Sequence, residues 1–263
     1  LRTEARLTMT QAAAASGMSQ PKIAHLEVGR QAQDPSDIAA LLDAYGAPAR
    51  DIDRLTTLTG RADEATWWAP WAQVVPDWLR TYVGLEALAE SVFCVQPWLV
   101  PGLLQTEDYA AAVTANAKSL RQDHGERFVG FRMARARRLT DEERPLAVEA
   151  VIPEAALRLA VGTAEVRREQ LRHLIALSEL PTVTIQIIRP EDGPHSALSA
   201  GGFVYLDFAD AARPVVYIEH KDGAVYLQES EQTSAYTMVV HDLQQVALSP
   251  EQSRELIEGM LKR

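Results

Sequence analysis

The sequence predicts an α+β protein. An N-terminal all-α domain of five short helices precedes a larger α+β domain with a mostly antiparallel sheet. Three observations predict this. Apolar residues at helical spacing, stopped by Gly and Pro, fill the first sixty residues. Alternating β-branched segments with turn signals appear only from Leu146 onward, interleaved with helical patterns. The length of 263 residues accommodates roughly two domains at ~100–200 residues each.

The elements follow in order. Thr8 and Gln11 have the spacing of a capping box, and Gly17 supplies the positive φ that ends the helix they start. Ser19 caps a second helix with Pro21 in its first turn, where a missing N–H costs little. Ile23 and Leu26 share one face of that helix, and Gly29 stops it. Asp34-Pro35 opens another helix with Ile38, Leu41, Leu42 and Tyr45 as its apolar stripe, broken at Gly46-Ala47-Pro48. Ile52, Leu55 and Leu58 mark the fifth helix, ending near Gly60. The chain begins Leu1-Arg2-Thr3-Glu4, which reads as the inside of a helix with an N-terminal segment missing.

A helical run is expected from Val74 through Val92, and a further helix from Thr106-Glu107-Asp108. Arg121 to Thr140 is a long helical pattern in which Arg132, Arg135 and Arg138 recur on one face. Strands are expected at 146–152, 183–188, 202–208, 215–219 and 224–227, the last two joined by an Asp222-Gly223 turn. A helix at 164–180 lies among them, and Ser249-Pro250-Glu251-Gln252 caps the last helix. The expected boundaries are a helical domain at 1–62, a Trp-rich junction at 63–80 and a C-terminal domain at 81–263 that provides effector or partner binding and dimerisation.

A short helix, a tight turn and a second helix with a polar first turn is the geometry that enters a DNA major groove. Leu7-Thr8, Gln11-Ala12-Ala13, Gly17-x-Ser19-Gln20-x-Lys22-Ile23, Glu27-x-Gly29-Arg30 and Pro35 resemble the Cro/repressor-like (XRE) helix-turn-helix regulators. The resemblance implies that Ser19, Gln20, Lys22 and His25 face double-stranded operator DNA, with Thr8 and Arg30 among the contacts. Glu27 is then structural. Met9, Ser16, Ala24 and His25 depart from the pattern, each at the cost of a contact or some core. A homodimer on a pseudo-palindrome would compensate for a weak half-site.

The rest of the chain also carries a resemblance. Val100-Pro-Gly-Leu-Leu-Gln-Thr-Glu-Asp-Tyr109, Arg132-x-x-Arg135, Glu169-Gln-Leu-x-x-Leu174, Val216-Tyr-x-Glu219 and Leu248-Ser-Pro-Glu-x-Ser253 are similar to the uncharacterised C-terminal domain of the actinobacterial WhiJ-like regulators of Streptomyces and relatives. Ala136 and the loop at 189–195 depart from that pattern. The resemblance implies a regulator of development or specialised metabolism. It also implies a small acidic partner protein encoded by a neighbouring gene, in an arrangement like that of an antitoxin and its toxin.

Composition bounds these readings. The net charge of −10 argues against indiscriminate nucleic-acid binding. Residues 1–30 nevertheless sum to +2, while residues 67–263 carry 19 Lys/Arg against 27 Asp/Glu, a net −8. No apolar run approaches the ~18 residues of a membrane span. The single Cys94 excludes an internal disulfide and suits a reducing cytoplasm. The six His form no HExxH pair, no GxSxG or phosphate-binding Gly loop occurs, and no metal, cofactor or catalytic residue is expected. All five Trp fall between Trp67 and Trp98. Trp67, Trp68 and Trp71 read as core packing at a domain junction or as an aromatic pocket. Arg132 and Arg135 read as a solvated face or as an anion or partner contact. His195 reads as a capping residue or a functional loop residue. Tyr217 and Glu219 share one strand face, either as sheet packing or as the lining of an effector pocket.

Overall fold

Thr8 starts the first helix as its spacing predicts. In the computed structural model its hydroxyl accepts from the Gln11 N–H at 3.2 Å, and the Gln11 side chain accepts from the Thr8 N–H at 2.9 Å. The structure describes residues 2–3, 5–27, 34–49, 52, 56, 69–71, 73–115, 124–142, 144–208, 213–221 and 223–262. The chain divides into two units, residues 1–69 with 79–88, and residues 70–78 with 89–263.

In the first unit, α1 (Met9–Ser16) ends at Gly17, whose φ of 72° lies in the left-handed region. Helix α2 (Gln20–Glu27) follows, with Ile23 and Leu26 buried. Helix α3 (Pro35–Ala44) is capped by Asp34, which accepts from the Ser36 N–H at 3.0 Å. It closes with a Schellman arrangement: Ala47 N–H to Leu42 C=O and Gly46 N–H to Asp43 C=O, with Gly46 at φ 70°. Ala12, Ile23, Leu26 and Leu41 form the core, with Met9, Ala13, Met18, Ile38 and Tyr45 against it.

Two of the departures thereby gain a physical role. Met9 packs on this core, and the Ser16 hydroxyl donates back to the Ala12 carbonyl at 2.7 Å, so no polar group is stranded. Residues 2–3 and 5–6 form turns rather than the helix expected at the start of the chain. Of the fifth helix, Ala49, Ile52 and Thr56 are helical, whereas Leu55, Leu58 and Gly60 lie outside the described residues.

Helix α4 (Asp77–Leu88) stops short of the expected Val92, and Ser91–Val95 is instead strand β1. The other strands are β2 (Ala147–Pro153), β3 (Val183–Ile188), β4 (Phe203–Asp207), β5 (Val215–His220) and β6 (Gly223–Leu227). They form one sheet in the order β3-β2-β1-β4-β5-β6. The sheet is mixed: β3-β2-β1 run parallel, and the pairings β1-β4, β4-β5 and β5-β6 are antiparallel. The hairpin register pairs His220 with Gly223, so Gly223 stands on the first rung of β6 rather than in the turn; Asp222 lies outside the described residues.

Helices α5 (Glu107–Ala115), α6 (Gly125–Ala136), α7 (Glu154–Arg158), α8 (Ala164–Leu177), α9 (Ala197–Ala200), α10 (Ser230–Val246) and α11 (Pro250–Leu261) complete the unit. One sheet face buries Phe93, Val95, Val151, Ile188, Phe203 and Val216 beneath Leu243 of α10, with Tyr236, Val239 and Val240 alongside. Helix α10 is not among the elements expected from the sequence. Tyr236, Val239, Val240, Leu243 and Val246 have helical spacing, but their β-branched and aromatic character favours a strand.

The edge strand β3 is covered by the chain that leads into α11. Ile187 accepts from the Leu248 N–H at 2.9 Å and donates its own N–H to the Ser253 hydroxyl at 2.9 Å. Ser253 is fully buried. Replacing Ser253 by Ala leaves that edge N–H without its partner, so S253A should destabilise the protein by about 1–3 kcal/mol. Urea unfolding should show a lower midpoint at unchanged slope.

Candidate nucleic-acid interface and arginine cluster

The helical wheel of α2 sorts its side chains. Ile23 and Leu26 point into the core, which turns Gln20, Pro21, Ala24 and His25 outward and leaves Lys22 on the flank. Ser19, Gln20 and His25 are exposed. Ser19 accepts from the Lys22 N–H at 3.4 Å, and the Gln20 amide reaches Thr10 of α1 at 3.3 Å. Thr8 is committed to the capping box, with its hydroxyl also donating to Gln11 at 2.9 Å. Lys22 is held by Asp37 of α3 through an ion pair of 2.7 Å. Arg30 lies outside the described residues.

Glu27 joins three segments. Its carboxylate takes two hydrogen bonds from the Arg2 guanidinium, at 2.7 and 3.1 Å, and one from the Tyr45 hydroxyl at 2.8 Å. Arg2 also donates to the Leu7 carbonyl at 3.1 Å. The turn before α1, the end of α2 and the end of α3 are thus fixed to one acid. The Arg2 bonds hold the Glu27 carboxyl below the usual carboxylate range, the Tyr45 bond adds to this, and burial opposes it.

In the second unit, residues far apart in sequence converge on α6. Arg132 and Arg135 lie over the rings of Phe128 and Phe131, four residues before each, at 5.2 and 5.7 Å from the centroids. Arg132 donates through Nη1 to Gln105 Oε1 at 2.9 Å. Its Nε is buried with no hydrogen-bond partner among the described residues. Burial pulls this guanidinium down to about 10, the Arg135 charge acts in the same direction, and Glu219 opposes both.

Glu219 and Tyr217 come from β5. The Tyr217 hydroxyl donates to Glu219 at 3.2 Å, and its ring packs on Tyr226 at 5.3 Å. Burial first, then the Glu219 charge, raises the Tyr217 hydroxyl well above the usual phenol value. The structure therefore brings Arg132, Arg135 and the Tyr217–Glu219 pair together. It places His195 elsewhere, before α9, where the neighbouring Ser196 donates its N–H to Asp242 of α10 at 3.0 Å. The Nδ1 of His195 is buried without a partner among the described residues.

The loop Val100–Thr106 positions the acceptor for Arg132. Gln105 is buried, and its amide donates to the Val100 carbonyl at 2.7 Å, which leaves Oε1 facing the guanidinium. Gln170 of α8 clamps the end of the loop by accepting from the Thr106 N–H at 2.8 Å and donating to the Leu104 carbonyl at 2.7 Å. Gln105 and Gln170 were not candidates from the sequence. Their only signals were the strings Val100-Pro-Gly-Leu-Leu-Gln-Thr and Glu169-Gln-Leu-x-x-Leu174, without an indication of which charge the loop serves.

The Trp cluster divides. Trp71 packs on Phe131 at 6.4 Å, and a Cβ on Gly130 would stand 3.4 Å from its indole nitrogen. Trp98 is 76% exposed, so it takes no part in core packing. Trp67 and Trp68 lie outside the described residues. Among the described residues no group of His, Cys, Asp or Glu has the arrangement of a metal site, and no helix is long and apolar enough to cross a membrane.

A family model described as a domain of unknown function (DUF5753) matches residues 79–259, well over half of the chain. A model described as a helix-turn-helix domain matches residues 1–55. No curated protein and no solved structure matches.

The depressed Glu27 carboxyl makes a signed prediction. Its stabilising contribution is present above the unfolded value of about 4.3 and is lost as pH falls through the lower folded value. Denaturation midpoints of the protein and of E27Q should differ at neutral pH and converge in acid.

Proposed function

The chain belongs to the DUF5753 family and carries a helix-turn-helix domain, and from this we propose that it is a sequence-specific DNA-binding transcriptional regulator. The observation that carries the proposal is the outward face of α2. Ser19, Gln20 and His25 stand exposed at the start and far side of a helix whose other side is locked by Ile23 and Leu26. Gln20 reads adenine through its amide, Ser19 meets a phosphate near the helix N-terminus, and Lys22 exchanges Asp37 for DNA.

The chain acts in the cytoplasm as a homodimer of the XRE, WhiJ-like type, with two recognition helices about one helical turn apart (~34 Å). The low charge of residues 1–30 supports a dimer, since a single half-site gains little from phosphate neutralisation. Control of development or specialised metabolism, by a small acidic partner docking on the C-terminal domain as an antitoxin meets its toxin, is supported by the family resemblance alone. No catalytic step is part of the role.

Selection of bound sequences from a random duplex library tests the proposal. A pseudo-palindrome with half-sites one turn apart is expected, and absence of any enriched sequence would refute it. On the selected site, Gln20→Ala should cost about 1–3 kcal/mol in binding while leaving scrambled DNA unaffected. Equal losses on both duplexes would remove Gln20 from base readout.

A further inference from the structure

The half-buried Arg132 side chain, whose Nε is fully enclosed, makes an incomplete interaction. Its described partners are the neutral amide oxygen of Gln105 and the face of Phe128, and its Nε has none. No described carboxylate lies within ion-pair distance of it. A charge taken out of water without a counterion is costly, and folding tolerates it where something else completes it. Gln105 is held by the Val100 carbonyl on its other side, so it orients the guanidinium without neutralising it. Arg135, one turn along the same face of α6, adds a second positive charge.

We propose that the C-terminal unit binds a small oxyanion, the carboxylate or phosphate group of a small molecule, at Arg132 beside Gln105. A guanidinium offers paired N–H donors that match such a group. The local charge limits what fits. Arg132 brings one positive charge that no carboxylate among the described residues neutralises at ion-pair distance, which suits a ligand with about one negative charge. Glu219 and the net −8 of residues 67–263 together repel an extended polyanion such as a DNA backbone. Glu219, exposed at the end of β5, offers an acceptor that suits a ligand bearing an N–H or O–H donor next to its anionic group. The site stands independently of whether the helical unit binds DNA.

Calorimetric titration of the whole chain with inorganic phosphate and with acetate, at constant ionic strength, tests the site. Saturable binding of at least one, with Kd of about 1–10 mM, is expected for a bare anion. The better binder distinguishes a phosphate from a carboxylate ligand. Arg132→Met should weaken binding at least about tenfold. Without anion its melting temperature should equal or exceed that of the parent, because an uncompensated buried charge has gone. A structural arginine would give the reverse, a lower melting temperature with unchanged anion binding. Glu219→Gln, at an exposed position, keeps the test open if the first variant does not fold. It should tighten anion binding by about threefold or more through removal of a repelling charge. No saturable binding of either anion up to about 50 mM, or binding that neither variant alters, overturns the proposal.

Discussion

Strand β1 is the constraint around which the second unit is arranged. It has a parallel neighbour on one edge and an antiparallel neighbour on the other, and Val92, Phe93, Cys94 and Val95 are all buried. A strand enclosed on both faces and both edges must be apolar throughout and must be covered by helices from two sides. The parallel pairing with β2 carries a second demand. Parallel neighbours cannot be joined by a hairpin, so the chain must cross over between Val95 and Ala147. That crossover holds the Val100–Thr106 loop, α5 and α6. The arginine cluster is therefore built from material the topology already requires. The β4-β5-β6 meander then brings Tyr217 and Glu219 to it from the opposite half of the sheet.

The same constraint explains what was legible in the sequence. Capping signals act over three or four residues, and they placed α1, α2, α3 and the start of α11 correctly from Thr8, Ser19, Asp34 and Ser249. A half-buried strand alternates, so β3 could be read from Val183–Ile188, whereas β5 was marked by the β-branched and aromatic run Val215–Glu219 before a turn signal. Strand β1 could not, because burial on both faces erases alternation and lets Ser91 and Val92 pass as the end of a helix. Its omission also hid the parallel half of the sheet, since a strand that is not seen has no direction. Helix α10 failed for another reason. Its helical spacing competes with the strand preference of Tyr236, Val239 and Val240, and packing on the sheet decides. The site was legible in part. The i, i+3 spacing of Arg132 and Arg135 predicted a shared face, but the burial of the Arg132 Nε and its partnership with Gln105, 27 residues away, are tertiary facts.

Buried polar side chains divide into two kinds here. Gln170 is complete: both ends of its amide are used, and they fasten the loop at Leu104 and Thr106 to α8. Ser253 is also complete, giving and taking one bond each with Leu248 and Ile187. Such groups behave as structural fasteners, because each of their polar atoms has a partner within the protein. Arg132 differs, since a guanidinium presents five N–H donors and a full charge to one amide oxygen and a ring. Residues whose polar capacity exceeds their local partners are where a ligand gains most from arriving. The contrast within one loop, Gln105 satisfied on its amide side and facing an unsatisfied cation on the other, separates the part of the motif that builds the fold from the part that serves a ligand.

The helical unit raises the matching question of charge. Among its basic residues Arg2 is spent on Glu27 and Lys22 on Asp37, both at 2.7 Å. A cation that leaves an ion pair to meet a phosphate gains only the difference between two similar interactions, whereas one that leaves water alone gains the release of a counterion. In the proposed DNA-binding role these two cations therefore add little to the electrostatic part of affinity. Arg2 cannot be given up at all without loosening the junction of α2, α3 and the turn before α1 that Glu27 holds. In that role recognition falls to neutral hydrogen bonding from the first turn of α2, the helix whose other end carries the Glu27 contacts. A reader built this way trades strength for selectivity. Base-edge bonds discriminate among sequences, while the phosphate attraction that would hold it on any sequence is largely cancelled internally. For the proposed homodimer, the free energies of two such contacts on one duplex add and their binding constants multiply.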